Sequence, residues 1–112
     1  MKLNEVVKLL DAKVLSKNFD GETEVFAAWS CDLMSDVLAF VDDQALLLTG
    51  LINPQVVRTA SMMDMKAIIF VRGKLPGDDM IELAEECDIS ILSTDKPMYV
   101  SSGILYSEGL HK

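Results

Sequence analysis

An α/β fold built on a mostly parallel sheet is predicted by three short apolar runs and by the helix-like stretch that comes after each of them. The runs are Ala45-Leu46-Leu47-Leu48, Ala67-Ile68-Ile69-Phe70-Val71 and Ile89-Ser90-Ile91-Leu92. They are continuous rather than alternating, which is the pattern of a strand covered on both faces. Each run passes through a short polar loop into a stretch with helical spacing. Strands alternating with helices imply βαβ units with right-handed crossovers, and hence a three-layer α/β/α sandwich with a sheet of about four to five strands. The chain has 112 residues, the size of one domain with one core, so residues 1–112 are expected to form one unit.

The elements come in order. Asn4 is a candidate cap for a short helix in which Leu3, Val6, Val7 and Leu10 recur at helical spacing. Ala12-Lys13-Val14-Leu15 alternates like a short strand, and Asn18-Phe19-Asp20-Gly21 has the residues of a turn. Thr23 to Trp29 is a second strand candidate. Ser30 or Asp32 then opens a helix with Met34, Val37, Leu38 and Val41 on its apolar face, ended by Asp42-Asp43. After the first long run and Thr49-Gly50, the pair Asn53-Pro54 starts a helix, with Asn at the cap and Pro at the first helical position. Val56, Val57, Ala60 and Met63 face inward from it. Met62, Met63 and Met65 suit an adaptable partner surface or core filling, the latter above all for Met63. After Pro76-Gly77, Asp78 and Asp79 place negative charge at the positive end of a helix whose Met80, Leu83, Ala84 and Cys87 form the buried stripe. Its Glu82, Glu85 and Glu86 are solvated. A last helix runs from about Pro97 to Ser107 and stops at Gly109, with Tyr99 and Tyr106 on one face.

Composition narrows the function. Half the residues are hydrophobic and 25% charged, as in an ordinary globular protein, and the seven methionines favour an adaptable interior. A formal net charge of −8 argues against nucleic acid or an anionic membrane surface as partner. The two cysteines, Cys31 at the start of one helix and Cys87 at the end of another, form neither a disulfide framework nor a zinc pattern. Lys2, Glu5 and Lys8 interrupt the apolar stretch near the start, so no secretory signal is visible, and a cytoplasmic location is expected.

If the three strands run parallel, their loops emerge at one sheet edge, where open α/β sheets bind ligands. The candidate set is Thr49, Gly50, Asn53, Arg72, Gly73, Lys74, Ser93, Thr94 and Asp95. Glycine lets backbone approach a ligand, helix N-termini offer N–H groups to anions, and Arg72 with Lys74 supplies positive charge. A nucleotide or other small anionic metabolite suits that chemistry. The same residue types also dominate plain βα turns, and no P-loop is present: Arg72-Gly73-Lys74 lacks the first glycine and the hydroxyl. For catalysis the signals are thinner. His111 is the sole histidine, no triad is apparent, and no metal or cofactor site is expected. Cys31 beside Asp32 could carry a lowered-pKa thiol, though free cysteines mostly serve packing. The acid pairs Asp42-Asp43 and Asp78-Asp79 fit solvated charge better than a hard-metal site.

The segment Asp32-Leu33-Met34-Ser35-Asp36-Val37-Leu38-Ala39, the apolar stretch Ala45 to Thr49, and Ala67 to Pro76 together resemble the DRTGG domain family. So do Ile89 to Asp95, Met98-Tyr99 and Ile104-Leu105-Tyr106. The resemblance runs in order through nearly the whole chain. Members are similar to the N-terminal domain of HPr kinase/phosphorylase. They occur beside CBS domains and within long phosphate acetyltransferases, and stand-alone versions appear among genes for multisubunit iron hydrogenases. The resemblance implies a MurF/HPr-kinase N-terminal-domain-like fold and a regulatory or adaptor role without catalysis. Where the family's Asp-Arg is expected this chain has Leu51-Ile52-Asn53, and for Thr-Gly-Gly it has Val71-Arg72-Gly73, keeping only Gly73.

The expectation is therefore a non-enzymatic, homodimeric regulatory domain binding a small anionic metabolite or nucleotide at the loop edge. Its rivals are a small-molecule phosphoryl or thiol enzyme using Asp95 or Cys31, and a scaffold subunit with a redox-complex (hydrogenase) protein partner. Self-association is motivated by size, since a small Met-rich domain gains by covering a face with its own copy.

Overall fold

The computed structural model describes residues 1–40 and 44–111. Val41 and the expected helix end at Asp42-Asp43 lie outside the described residues. In chain order the elements are α1 (Leu3–Leu10), β1 (Lys13–Val14), β2 (Ala27–Ser30), α2 (Met34–Phe40), β3 (Ala45–Thr49), α3 (Pro54–Met62), β4 (Ala67–Phe70), α4 (Asp78–Glu86), β5 (Ser90–Ser93) and α5 (Met98–Ser107). The strands form a five-stranded sheet in the order β1-β5-β4-β3-β2. β2 to β5 are mutually parallel, and β1 closes one edge by pairing antiparallel with β5. The expected α/β/α sandwich with a mostly parallel sheet is what the chain forms.

Two apolar layers account for it. On one face Leu47, Ile68, Phe70 and Ile91 pack under α2, α3 and α4 through Val37, Val56, Val57, Ala60, Met80 and Ala84. On the other, Leu46, Leu48, Ile69 and Leu92 pack under α1 and α5 through Leu3, Val6, Leu10 and Leu105. Every residue of β3, β4 and β5 is buried, which explains their unbroken apolar runs. The strand ends differ slightly from expectation: β3 includes Thr49, β4 stops at Phe70 rather than Val71, and β5 is shifted to Ser90–Ser93.

Several expected boundaries need correction. α1 is capped by Lys2, with the Glu5 carboxylate accepting from the Lys2 backbone N–H at 3.4 Å, and Asn4 lies inside the helix. The second strand is Ala27–Ser30 rather than Thr23 to Trp29. Glu24 instead makes an isolated bridge to Lys2, and Val25 is buried under α1. α2 buries only Val37 fully; Leu38 is exposed. Cys31 lies in the loop before α2 rather than in the helix. Met63 packs against the core as expected, though only half-buried, and Met65 beyond it is buried. Glu85 is half-buried and its carboxylate accepts the Lys17 N–H at 2.6 Å. The Asn53-Pro54 start of α3 is as expected: the Asn53 side chain accepts from the Gln55 N–H at 2.8 Å, and Pro54 occupies the first turn.

Candidate functional site

The parallel register sets the ends of four strands side by side. Ser30 is level with Leu48, Thr49 with Phe70, and Phe70 with Ser93. The loops after β2, β3, β4 and β5 therefore leave the same edge of the sheet within about one residue of each other.

The loop after β4 is a tight turn. The Lys74 N–H donates to the Val71 carbonyl at 3.2 Å, and the two central residues, Arg72 and Gly73, have φ of 57° and 69°. A turn with two left-handed central positions is normally filled by Asn-Gly, because side chains other than Gly, Asn and Asp crowd the backbone there. Here the first position holds an arginine. Neighbours pin the turn from both sides: Val71 N–H donates to the Thr49 carbonyl at 3.1 Å, Arg72 N–H to the Lys96 carbonyl at 2.9 Å, and Gly73 N–H to the Thr94 carbonyl at 2.8 Å. Those bonds hold Arg72 in a conformation it would otherwise avoid.

On its β3 side the turn faces Gly50, where an added Cβ would lie 3.8 Å from both an Arg72 guanidinium nitrogen and the nearer Asp32 carboxylate oxygen. Asp32 comes from the loop after β2. Its Oδ1 accepts from the Thr49 hydroxyl at 2.8 Å and the Gly50 N–H at 2.8 Å. The carboxylate expected to open α2 is thus turned across the sheet edge. On the β5 side, a Cβ on Gly73 would lie 3.1 Å from an Asp95 oxygen, so backbone and carboxylate are in close approach.

The candidate residues divide into two groups. Thr49, Ser93 and Thr94 are buried, and their hydroxyls are engaged within the protein. Thr49 donates to Asp32, Ser93 to the Lys74 carbonyl at 2.9 Å, and Thr94 to the Leu10 carbonyl at 2.7 Å. Arg72, Gly73, Lys74 and Asp95 are exposed, Gly50 is partly so, and Asn53 is exposed while capping α3. Among the described residues, neither Arg72 nor Lys74 is in an ion pair. Two residues outside the candidate set belong to this edge. Lys96, joined to Arg72 through its carbonyl, adds a third cation, and Asp32 ties two of the loops together. Neither stands out by residue type; the strand order alone brings them here. The edge is open rather than hollow: beside Gly73, Ser93 and Asp95, together with Asp11, Lys13 and Leu75, the cavity is about 40 Å³.

The two residues offered as alternatives for an enzyme, Asp95 or Cys31, lie apart on the sheet edge. Cys31 follows β2 and Asp95 follows β5, three strand spacings apart in the sheet, or about 14 Å. Cys31 is half-buried, and its sulfur accepts the Leu33 N–H at 3.2 Å. His111 lies elsewhere, sharing a hollow of about 270 Å³ with Ser30 and Ser102. Those two hydroxyls bond each other at 2.6 Å, while the imidazole tilts against the Tyr106 ring at 4.9 Å. Among the described residues, no group of three or more His, Cys, Asp or Glu side chains is placed to hold a metal ion, and no helix is long and apolar enough to cross a membrane.

Fold and loop edge together define an α/β sandwich domain with a polar, cation-bearing rim at the C-terminal ends of its parallel strands. No family model matches the chain, and no curated protein matches it. Among solved structures it is similar to the CBS and DRTGG domains of the regulatory region of Clostridium perfringens pyrophosphatase, complexed with activator, diadenosine tetraphosphate. The TM-score is 0.74 at 16% sequence identity, over 93% of this chain and 45% of that one. This chain thus spans less than half the length of the structure it resembles. The likeness supports a DRTGG-like fold.

Proposed function

We propose that this chain is a non-catalytic regulatory domain that binds a small anionic metabolite, a nucleotide in the first instance, at the loop edge carrying Gly50, Arg72, Gly73 and Lys74. The observation that carries the reading is Arg72 itself. A left-handed arginine costs roughly 1–2 kcal/mol relative to glycine. Among the described residues, three of the other four non-glycine left-handed residues, Asp11, Asp64 and Asp88, are aspartates that tolerate the region. A bulky cation maintained in a strained turn at a ligand-binding edge is explained by what its guanidinium holds. Two further observations support the reading. Among the described residues, Lys74 and Lys96 sit beside it without carboxylate partners, and the structurally similar pyrophosphatase region is regulatory and complexed with a nucleotide activator. The hydroxyls of Thr49, Ser93 and Thr94 and the N–H groups of Gly50, Arg72, Gly73 and Lys74 are all bonded within the protein, which leaves recognition to the cationic side chains, a set that reads charge more than base identity.

A thermal-shift panel of AMP, ADP, ATP, diadenosine tetraphosphate and inorganic phosphate tests it, since a ligand of the native state raises its melting temperature. The expected result is a rise with at least one nucleotide at millimolar concentration, absent in Arg72→Gly. No rise with any of them, or an equal rise in Arg72→Gly, overturns the site.

A further inference from the structure

The helix α5 departs from the pattern of every other helix. Its sequence, Met98 to Ser107, is apolar or small throughout and carries no charge, in a chain where 25% of residues are charged. Yet only Ser101 and Leu105 are buried. Tyr99 is 89% exposed, Tyr106 62% and Val100 44%. A helix apolar on all sides is ordinarily covered on all sides, so the outer face of α5 has the composition of a contact surface.

At the centre of that face is Gly103. Glycine weakens a helix interior, and here nothing within the chain calls for it, because a Cβ at this position meets no atom within 4 Å. What a bare backbone offers is close approach from outside. Exposed side chains are spaced evenly about it. Tyr99 and Val100 precede Gly103 by four and three positions; Tyr106 and Ser107 follow it by three and four. A two-fold axis through Gly103 exchanges these ends, laying Tyr99 and Val100 of one helix over Tyr106 and Ser107 of another, with the two glycines in contact. That self-complementarity is what an interface between identical surfaces requires. Charge favours the same choice of partner: copies that each carry −8 repel across most of their surface, and this face carries a single charged residue, Glu108, at its end. The face continues into the hollow lined by Ala28, Ser30, Leu105, Leu110 and His111, which shares Ser102 and Tyr106 with it. Two tyrosines supply roughly 300 Å² of cover, to which Val100 and the hollow add, toward the ~800 Å² per partner of a specific interface.

We propose that the outer face of α5, centred on Gly103, is a two-fold interface between two copies of this chain. The face is distinct from the Arg72 edge, so the dimer stands or falls independently of ligand binding. Sedimentation equilibrium of the full chain tests it, with Gly103→Gln, Tyr106→Lys and, as control, Met62→Gln. Met62 is 71% exposed on the helix layer across the sheet. The wild type and Met62→Gln are expected to be dimers at micromolar concentration, with Gly103→Gln and Tyr106→Lys weakened at least about tenfold. Circular dichroism of both α5 variants should match the wild type, since both positions face solvent. A wild type that is monomeric at high micromolar concentration overturns the proposal. So does tight dimerisation of both α5 variants, or equal weakening by Met62→Gln. If Gly103→Gln misfolds, Tyr106→Lys alone decides.

Discussion

The Asp32 carboxylate accepts the hydroxyl of Thr49 at 2.8 Å, binding the loop after β2 to the last residue of β3. Thr49 is fully buried and its hydroxyl also accepts the Leu51 N–H at 3.2 Å, while the same Asp32 oxygen holds the Gly50 N–H at 2.8 Å. Removing the acceptor is therefore worse than removing the donor. Asp32→Ala is expected to destabilise by about 1–3 kcal/mol. Asp32→Asn keeps an accepting oxygen and should cost least; Thr49→Val strands one donor, the Leu51 N–H that the hydroxyl accepts, against the two stranded by Asp32→Ala, so its cost should fall between them. Urea unfolding of the three variants checks the ranking; a neutral Asp32→Ala would show that the bond contributes nothing.

Arg72→Gly relieves the left-handed strain at the first central position of its turn. Its stability is expected to rise by roughly 0.5–1 kcal/mol. Gly73→Ala does the opposite, since φ is 69° and the new Cβ would press on Asp95 at 3.1 Å; a loss of about 1 kcal/mol or more is expected. Thermal unfolding of the two variants gives shifts of opposite sign.

Thr94 caps α1 from a distance. Its hydroxyl donates to the carbonyl of Leu10, the last residue of that helix, which has no partner in the next turn. Thr94→Val is expected to cost about 1–3 kcal/mol by leaving that buried carbonyl unpaired. Its thermal shift with nucleotide should equal that of the wild type, because the hydroxyl is not free to recognise anything. A lost ligand response with unchanged stability would move Thr94 into the binding site.

Lys2 is held above its ordinary value of 10.5 by its hydrogen bond to Glu22 and by the charge of that carboxylate. A raised lysine contributes stability that is fully present below its unfolded pKa and disappears as pH rises through the folded one. The pair is exposed, so its contribution is small and screened by salt. Comparison of Glu22→Gln with the wild type by thermal unfolding should show a slight deficit at neutral pH and low salt. That deficit should be flat down to mildly acidic conditions and vanish on the alkaline side of 10.5.

How much of the molecule is legible in its sequence depends on what each residue's neighbours do. β3, β4 and β5 are readable because both their faces are covered, which leaves a continuous apolar run that no loop imitates. Asn53-Pro54 is readable because capping is local. β2 begins later than its residue types suggest, because Val25 has the character of a strand residue but is buried by α1, an element far from it in the chain. Asp32 has the composition of a helix cap, and only the strand order reveals that Thr49 and Gly50 lie opposite it. Ser93 and Thr94 suggest a phosphate cradle on residue type alone, whereas their hydroxyls are taken up by Lys74 and Leu10. The edge itself is legible from topology; which of its side chains stay free is not, because that depends on bonds between distant loops.

The antiparallel pairing of β1 with β5 bears on how the chain is made. Leu10 and Thr94, which meet beside that pairing, are 84 positions apart. During synthesis β1 must wait, unpaired, until β5 has been translated. The sheet's outer margin is therefore among the last parts to close, and contacts of such long separation slow folding. An early segment kept waiting in this way is also free to lodge in the vacant margin of a neighbouring nascent chain. Exchange of the edge strand β1 between molecules is thus a misassembly to which this architecture is exposed.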